Sequence, residues 1–372
     1  MIYSINELCN IISGGTPKTN IYEYWNGNIP WISIKDFINC NRYINQTEKK
    51  ISNLGLQKSA TNLLQENDII ISARGTVGEI ALIKEPMAFN QSCYGIRTKD
   101  PLKLNQLFLF YWLMANKNEI KTGTHGAVFN TITRDDFDRL KIHLPNLEIQ
   151  DHIVNTIGSV DDLIENYQKQ ADKICDILRQ SLNKYNEYVT ISEYDPDIIK
   201  SGIKMFDNEK TYLDTSSING VNNITPGELI TYNKKPSRAN MQPIGNSVWF
   251  AKMKDSNKIL IITDKDQDII KSNILSTGFL GIKSSNKLPL ALLTSIIISD
   301  QFKVQRDLNS VGTTMAGINN ETFSKILVPK LTDEEIKEYD KKYNNLVYRL
   351  SYIRQEIKLL SKVKENLLSK YF

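Results

Sequence analysis

The sequence is short of the residues that enzymes use for nucleophilic, redox or metal chemistry. It holds three histidines and four cysteines among 372 residues. Cys9, Cys40, Cys93 and Cys175 show no C-x-x-C spacing, which argues against a zinc knuckle or a disulfide framework and fits a reducing cytoplasm. His125, His143 and His152 lack metal-ligand spacing, and His143 in the alternating run "LKIHLP" reads as an exposed strand residue. No G-x-x-x-x-G-K-[ST] string is present, so a P-loop is excluded. A methyltransferase would need a glycine-rich cofactor loop and an Asn-Pro-Pro-aromatic loop, and neither occurs. Acid-x-Lys strings such as "DKDQDIIK" could mimic a nuclease motif, but with 46 Lys and Arg beside 42 Asp and Glu they arise cheaply. The most apolar stretch, Leu288 to Ile298, falls short of the ~20 residues a bilayer span needs. No basic segment followed by a long apolar run opens the chain, so no signal peptide is expected. The net charge of +4 permits an anionic partner without demanding one.

What is present is written twice. "GAVFNTITRDDFDRLKIHLPNLEIQ" and "GTTMAGINNETFSKILVPKLTDEEI" align without a gap at an offset of 186 residues. Gly126 meets Gly312, Ile132 meets Ile318, Phe137 meets Phe323 and Glu148 meets Glu334. The register continues into two helical stretches. Ile153, Ile157, Val160, Ile164, Tyr167, Ala171, Ile174, Leu178, Ser181 and Tyr185 step by four and three, as do Tyr339 through Tyr371. That spacing is a coiled-coil seam. Each helix is expected to run ~38 residues, or ~57 Å at 1.5 Å per residue. Thr332 and Glu335 form a capping-box pattern before the second. Ahead of each helix lies a β-rich region ("DIIISA", "EIALI", "KILIIT") with its own apolar helical stretch. The expected fold is α+β: two globular α/β domains at 1–147 and 191–331, separated by long antiparallel coiled-coil helices at 148–190 and 332–372, with an internal pseudo-twofold repeat.

The candidate chemistry is binding, on loops. "GGTPKTN" joins glycines that allow close backbone approach to the donors Lys18, Thr19 and Asn20. "SARGTVG" puts Arg74 and Thr76 on a turn between strands, and an arginine there suits bidentate reading of guanine or phosphate. "NQSCYG" offers Asn90, Gln91, Ser92 and Tyr94, and "KTGTHG" adds Lys121, Thr124 and His125. In the second half the candidates are Lys234, Lys235, Ser237, Arg238, Asn240 and Gln242, then Lys252 and Lys254, then Ser310, Thr313 and Thr314. Arg74 and Arg238 lead the set. Tyr22, Tyr24, Trp25, Trp31 and Trp249 read as braces that hold loops rigid. The second half shows no counterpart of Gly14-Gly15-Thr16-Pro17, and "NKKPSRANMQ" is expected in its stead.

"GGTPKTNIYEYWNGNIPWISIKDF", "NDIIISARGTVGEIALI", "NQSCYGI" and "GAVFNTITRDDFDRLKIHLPNLEIQ" with its helix together resemble the specificity subunit of Type I restriction–modification systems. The resemblance covers the whole chain. It implies two target recognition domains, each reading one half of a split site in double-stranded DNA, with helices that set the gap. It implies no catalysis by this chain and no cofactor in it. S-adenosylmethionine is expected on two partner modification subunits, which methylate adenine. ATP and Mg are expected on restriction subunits of the full complex, in the cytoplasm. Unlike loops in the two halves imply an asymmetric bipartite site. Three other readings stay open: a specificity subunit of a Type II-like restriction–methylation enzyme, a coiled-coil adaptor that never touches DNA, and a nuclease in its own right.

Overall fold

Short apolar runs bounded by Gly, Asn and Asp become buried strands, and longer runs of mixed period become helices. The computed structural model describes residues 1–37, 42–122, 131–312 and 316–372. The chain divides into two units, Met1–Leu163 with Leu360–Phe372, and Ile164–Leu359.

The strands of the first unit are β1 (Ile2–Ser4), β2 (Cys9–Ser13), β3 (Ile29–Ile32), β4 (Tyr43–Ile44), β5 (Lys49–Ile51), β6 (Leu63–Leu64), β7 (Ile69–Ser72), β8 (Ile80–Ile83), β9 (Met87–Phe89), β10 (Cys93–Thr98) and β11 (Lys141–His143). They form a sheet of order β2-β10-β7-β8-β4, a second of order β5-β3-β9-β6, and the pair β1-β11. The helix Gln106–Ala115 is capped by the Asn105 side chain and buries Phe108 through Leu113 in the core beside β7, β8 and β10.

In the second unit the strands are β12 (Tyr188–Thr190), β13 (Asp197–Ile198), β14 (Lys210–Leu213), β15 (Ile218–Asn219), β16 (Asn223–Ile224), β17 (Glu228–Ile230), β18 (Ala239–Met241), β19 (Ser247–Ala251), β20 (Ile259–Ile262), β21 (Asn273–Ser276), β22 (Phe279–Lys283) and β23 (Leu327–Pro329). Two sheets have the orders β13-β22-β19-β20 and β17-β14-β21-β18, and β12 pairs with β23. The plan follows that of the first unit, except that β4 has no counterpart and β15 and β16 form an additional pair. In β5-β3-β9-β6 and in β17-β14-β21-β18 the central pair is parallel (β3 with β9, β14 with β21) and both outer pairs are antiparallel. The terminal pairs repeat in register, since Ile2 faces His143 and Tyr188 faces Pro329.

Two long helices, Leu147–Gln180 and Asp333–Tyr371, each contribute residues to both units. In the second unit Arg349 Nη2 donates to Gln170 Oε1 at 2.9 Å, and the hydroxyls of Ser181 and Tyr339 meet. The helices therefore run antiparallel there. In the first unit Lys364 Nζ lies 2.7 Å from Asp161 Oδ1, and the His152 and Tyr371 rings stack edge-on, with the same sense. Thr332 and Glu335 exchange the two hydrogen bonds of a capping box at the start of the terminal helix. The central helix ends at Gln180, ten residues before the expected Thr190. Backbone bonds from Asn183 to Gln180 and from Tyr185 to Leu182 turn the chain so that Tyr188–Thr190 can pair as β12. Among the described residues no helix is long and apolar enough to cross a membrane.

Candidate nucleic-acid interface

The loop after β2 is fixed from beneath. A Cβ on Gly14 would lie 2.1 Å from the Asn90 carbonyl oxygen, and one on Gly15 2.4 Å from the Thr61 nitrogen, so only glycine fits at either place. Gly15 N donates to Phe89 O at 2.9 Å. The indole N–H of Trp31 donates to Gly15 O at 3.0 Å and that of Trp25 to Lys18 O at 3.2 Å. The two rings meet edge to face at 5.0 Å. Aromatic braces thus take the loop carbonyls, and Lys18, Thr19 and Asn20 are left exposed. Gly15→Ala is expected to displace this loop and lower the melting temperature of the whole chain, while Thr19→Ala leaves it unchanged; thermal denaturation by circular dichroism separates the two.

The β7–β8 hairpin carries Arg74 and Thr76, both exposed, with Gly75 and Gly78 at φ of 75° and 80°. Ala73 N and Arg74 N donate to Ser92 O at 2.7 and 3.2 Å. The Thr16 hydroxyl donates to Gln91 Oε1. Three loops remote in sequence are therefore stitched into one edge, presenting Lys18, Thr19, Asn20, Arg74, Thr76 and Gln91. The Arg74 guanidinium has no hydrogen bond or ion pair among the described residues. Three predicted residues have structural work instead. Asn90 Oδ1 accepts from Ser92 N at 3.0 Å and shapes the turn. The Tyr94 ring stacks on Phe137 at 5.7 Å. Lys121 Nζ lies 3.5 Å from Glu79 Oε1, with its carbons against Gly78. Burial works to raise the Glu79 carboxyl, but Lys117 and Lys121 outweigh it and hold it below the usual range. Thr124 and His125 lie outside the described residues.

In the second unit Lys234, Ser237, Arg238 and Lys254 are exposed. Lys235 sits 5.9 Å from the Tyr232 ring. Arg238 O accepts from Thr277 N at 2.9 Å. Lys252 Nζ donates to Thr277 O at 3.0 Å, and burial holds its ammonium below the ordinary lysine value. Gln242 Nε2 donates to Ile270 O at 2.9 Å, Asn240 O accepts from Gly202 N at 2.8 Å, and the Ser310 hydroxyl donates to Arg306 O at 2.9 Å. The Gln242 amide and the Ser310 hydroxyl are spent on the scaffold, and Asn240 contributes its backbone carbonyl. Thr313 and Thr314 lie outside the described residues.

Hydrogen bonds give the residue-by-residue correspondence of the two edges. Lys252 N donates to Gly278 O at 2.9 Å as Ala73 N does to Ser92 O, and Ile318 N donates to Lys252 O at 2.9 Å as Ile132 N does to Ala73 O at 3.0 Å. Lys252 thus stands where Ala73 does, and Met253 where Arg74 does. The same reasoning corrects the expectation about the glycine loop. Gly95 faces Ile12, and Ile199 N donates to Gly281 O, so Gly15 has its counterpart in Gly202. The counterpart of "GGTPKTN" is the stretch from 200, with exposed Lys200 and Lys204 that the sequence reading missed. "NKKPSRANMQ" instead joins β17 to β18, the place that 52–62 takes between β5 and β6. The rings of Phe206 and Tyr232, 5.6 Å apart, serve as the brace there, with Lys210 5.0 Å from the Phe206 ring. The glycine a few residues after the start of a short strand was the available signal, hidden by the absence of any shared motif.

Among the described residues no group of three His, Cys, Asp or Glu could hold a metal ion. Cys9, Cys93 and Cys175 are free and buried, and burial pushes each thiol up to about 12, so none is a nucleophile. Asp266 of the "DKDQDIIK" string is fully buried and engaged by Arg354, Ser351 and Gln355.

Residues 1–175 match the family model for the Type I restriction modification DNA specificity domain. Those residues are thus similar to the DNA specificity domain of Type I restriction–modification systems. It is similar to the Type I restriction enzyme MjaIX specificity subunit of Methanocaldococcus jannaschii, 28% identical over 172 residues, covering 46% of this chain and 40% of that one. The EcoR124I/EcoR124II specificity subunit of Escherichia coli is 26% identical over 208 residues, 53% of this chain and 50% of that one. The aligned stretches span half or less of these specificity subunits. A solved Type I S subunit from M. genitalium shares the fold, with a TM-score of 0.51 and 15% identity over 100% of this chain and 96% of that one.

Proposed function

We propose that the chain is the DNA sequence-recognition subunit of a Type I restriction–modification complex. One observation carries the reading: two units share a sheet plan and a three-loop edge, and the residues on the two edges differ in kind. A shared frame delivers loops to duplex DNA in the same way, and unlike tips read unlike bases, giving a bipartite, asymmetric site. The edge loops enter the major groove, where all four base pairs are distinguishable. Flanking lysines hold phosphates and set the register. The paired helices act as a coiled-coil spacer between the half-sites and, with the unit flanks, seat two modification subunits. Those subunits bring S-adenosylmethionine to a flipped adenine, and this chain performs no chemistry itself. Restriction subunits with ATP and Mg complete the complex in the cytoplasm.

Single-molecule methylome sequencing of cells carrying this chain with a modification subunit, against the modification subunit alone, tests the reading. The expected result is N6-methyladenine at a new split motif. An unchanged methylome, with the two proteins co-purifying, would exclude the recognition role.

A further inference from the structure

The two hairpin tips correspond in backbone but not in chemistry. Where the first unit has the cation Arg74, the second has Met253, 47% exposed and outside the core clusters of its unit. Its backbone is held firmly. Met253 bridges Gly317 in antiparallel register, and a Cβ on Gly317 would lie 3.0 Å from the Lys252 oxygen. Val311, 62% exposed, bonds Gly317 in both directions at 3.0 and 3.1 Å. Met253 and Val311 thus flank one glycine as a fixed apolar pair on the reading edge. Lysines flank Met253 in the chain: Lys254 is exposed and Lys252 is tied to Thr277 O, while Asp255 N donates to Asp307 Oδ1 at 3.1 Å just beyond. A small apolar spot beside an exposed lysine suits an apolar group carried on a polyanion. In the major groove that group is the C5-methyl of thymine.

We propose that Met253, backed by Val311, reads a thymine methyl in the half-site taken by the second unit; the assignment rests on the DNA-reading role above. Deoxyuridine keeps every hydrogen-bonding edge of thymine and lacks only the methyl. The test is binding of the complex with its modification subunits to duplexes bearing the methylome motif, with each thymine replaced in turn by deoxyuridine. One thymine is expected to show a loss of about fourfold, the value of burying one methyl group. With Met253→Ala that same replacement is expected to have no further effect, while the other positions behave as in the parent. Insensitivity at every thymine, or a sensitive thymine that stays sensitive in Met253→Ala, overturns the assignment and leaves DNA reading intact. Absence of sequence-specific binding to any duplex removes DNA reading itself and the assignment with it.

Discussion

Arg354→Met is expected to destabilise the second unit by about 3–5 kcal/mol, the usual cost of stripping one partner from a buried ion pair. Arg354 Nη2 lies 2.7 Å from Asp266 Oδ1, and its Nη1 donates to Ile261 O at 2.7 Å. Asp266 also accepts from Ser351, Gln355 and Thr263. Burial alone would raise the Asp266 carboxyl, but Arg354 and these donors outweigh it and hold it below its ordinary 3.8. A depressed carboxyl contributes stability above its unfolded value and loses it as pH falls through the lower folded one. The gap between parent and variant is therefore expected to be full above pH 3.8 and to narrow in stronger acid. Urea unfolding of the full chain measures it. A loss below ~1 kcal/mol at neutral pH would mean that water replaces the arginine and that the pair is not truly enclosed.

Arg74→Ala is expected to relax discrimination at one base pair, in one half-site only, by about 1–3 kcal/mol, the worth of a bidentate contact. Arg74→Lys keeps the charge and is expected to lose nearly as much, because an ammonium cannot present the planar fork. The backbone at this position is held through Ser92 O, so either variant removes only the side chain. Methylome motifs of the variants give the readout. Loss spread evenly over both half-sites would make Arg74 a phosphate contact and not a base reader.

The ends of the repeat were legible in the sequence because strand pairing and helix seams fix them. Lys141–His143 and Leu327–Pro329 fall in the aligned run and both are strands, and the terminal helix begins at its capping box, whereas Tyr188–Thr190, read as helix, pairs as a strand as Ile2–Ser4 does. The middle was not legible, because loop lengths drift between the units. Gly95 and Gly281 are 186 positions apart, whereas Ile70 and Trp249, which face them, are 179 apart. A single offset therefore sets Arg74 against Leu260, a fully buried residue of β20 that plays no matching part. Candidate residues failed where a loop side chain met an acid or carbonyl from a distant strand. Lys121 with Glu79 and Gln242 with Ile270 O are cases that no local pattern reveals.

The first unit to emerge during synthesis is the last to be finished. Its core includes Leu367, Leu368, Tyr371 and Phe372, with the Phe372 ring 5.3 Å from Phe108. Asp161, hydrogen-bonded to the Tyr111 hydroxyl at 2.9 Å, receives its countercharge from Lys364. Until residues 360–372 have been synthesised, the amino-terminal half lacks this apolar cover, and Asp161 lacks Lys364. A frameshift in the codons for 360–372 would consequently harm the unit encoded farthest from it, and leave the nearer unit largely whole.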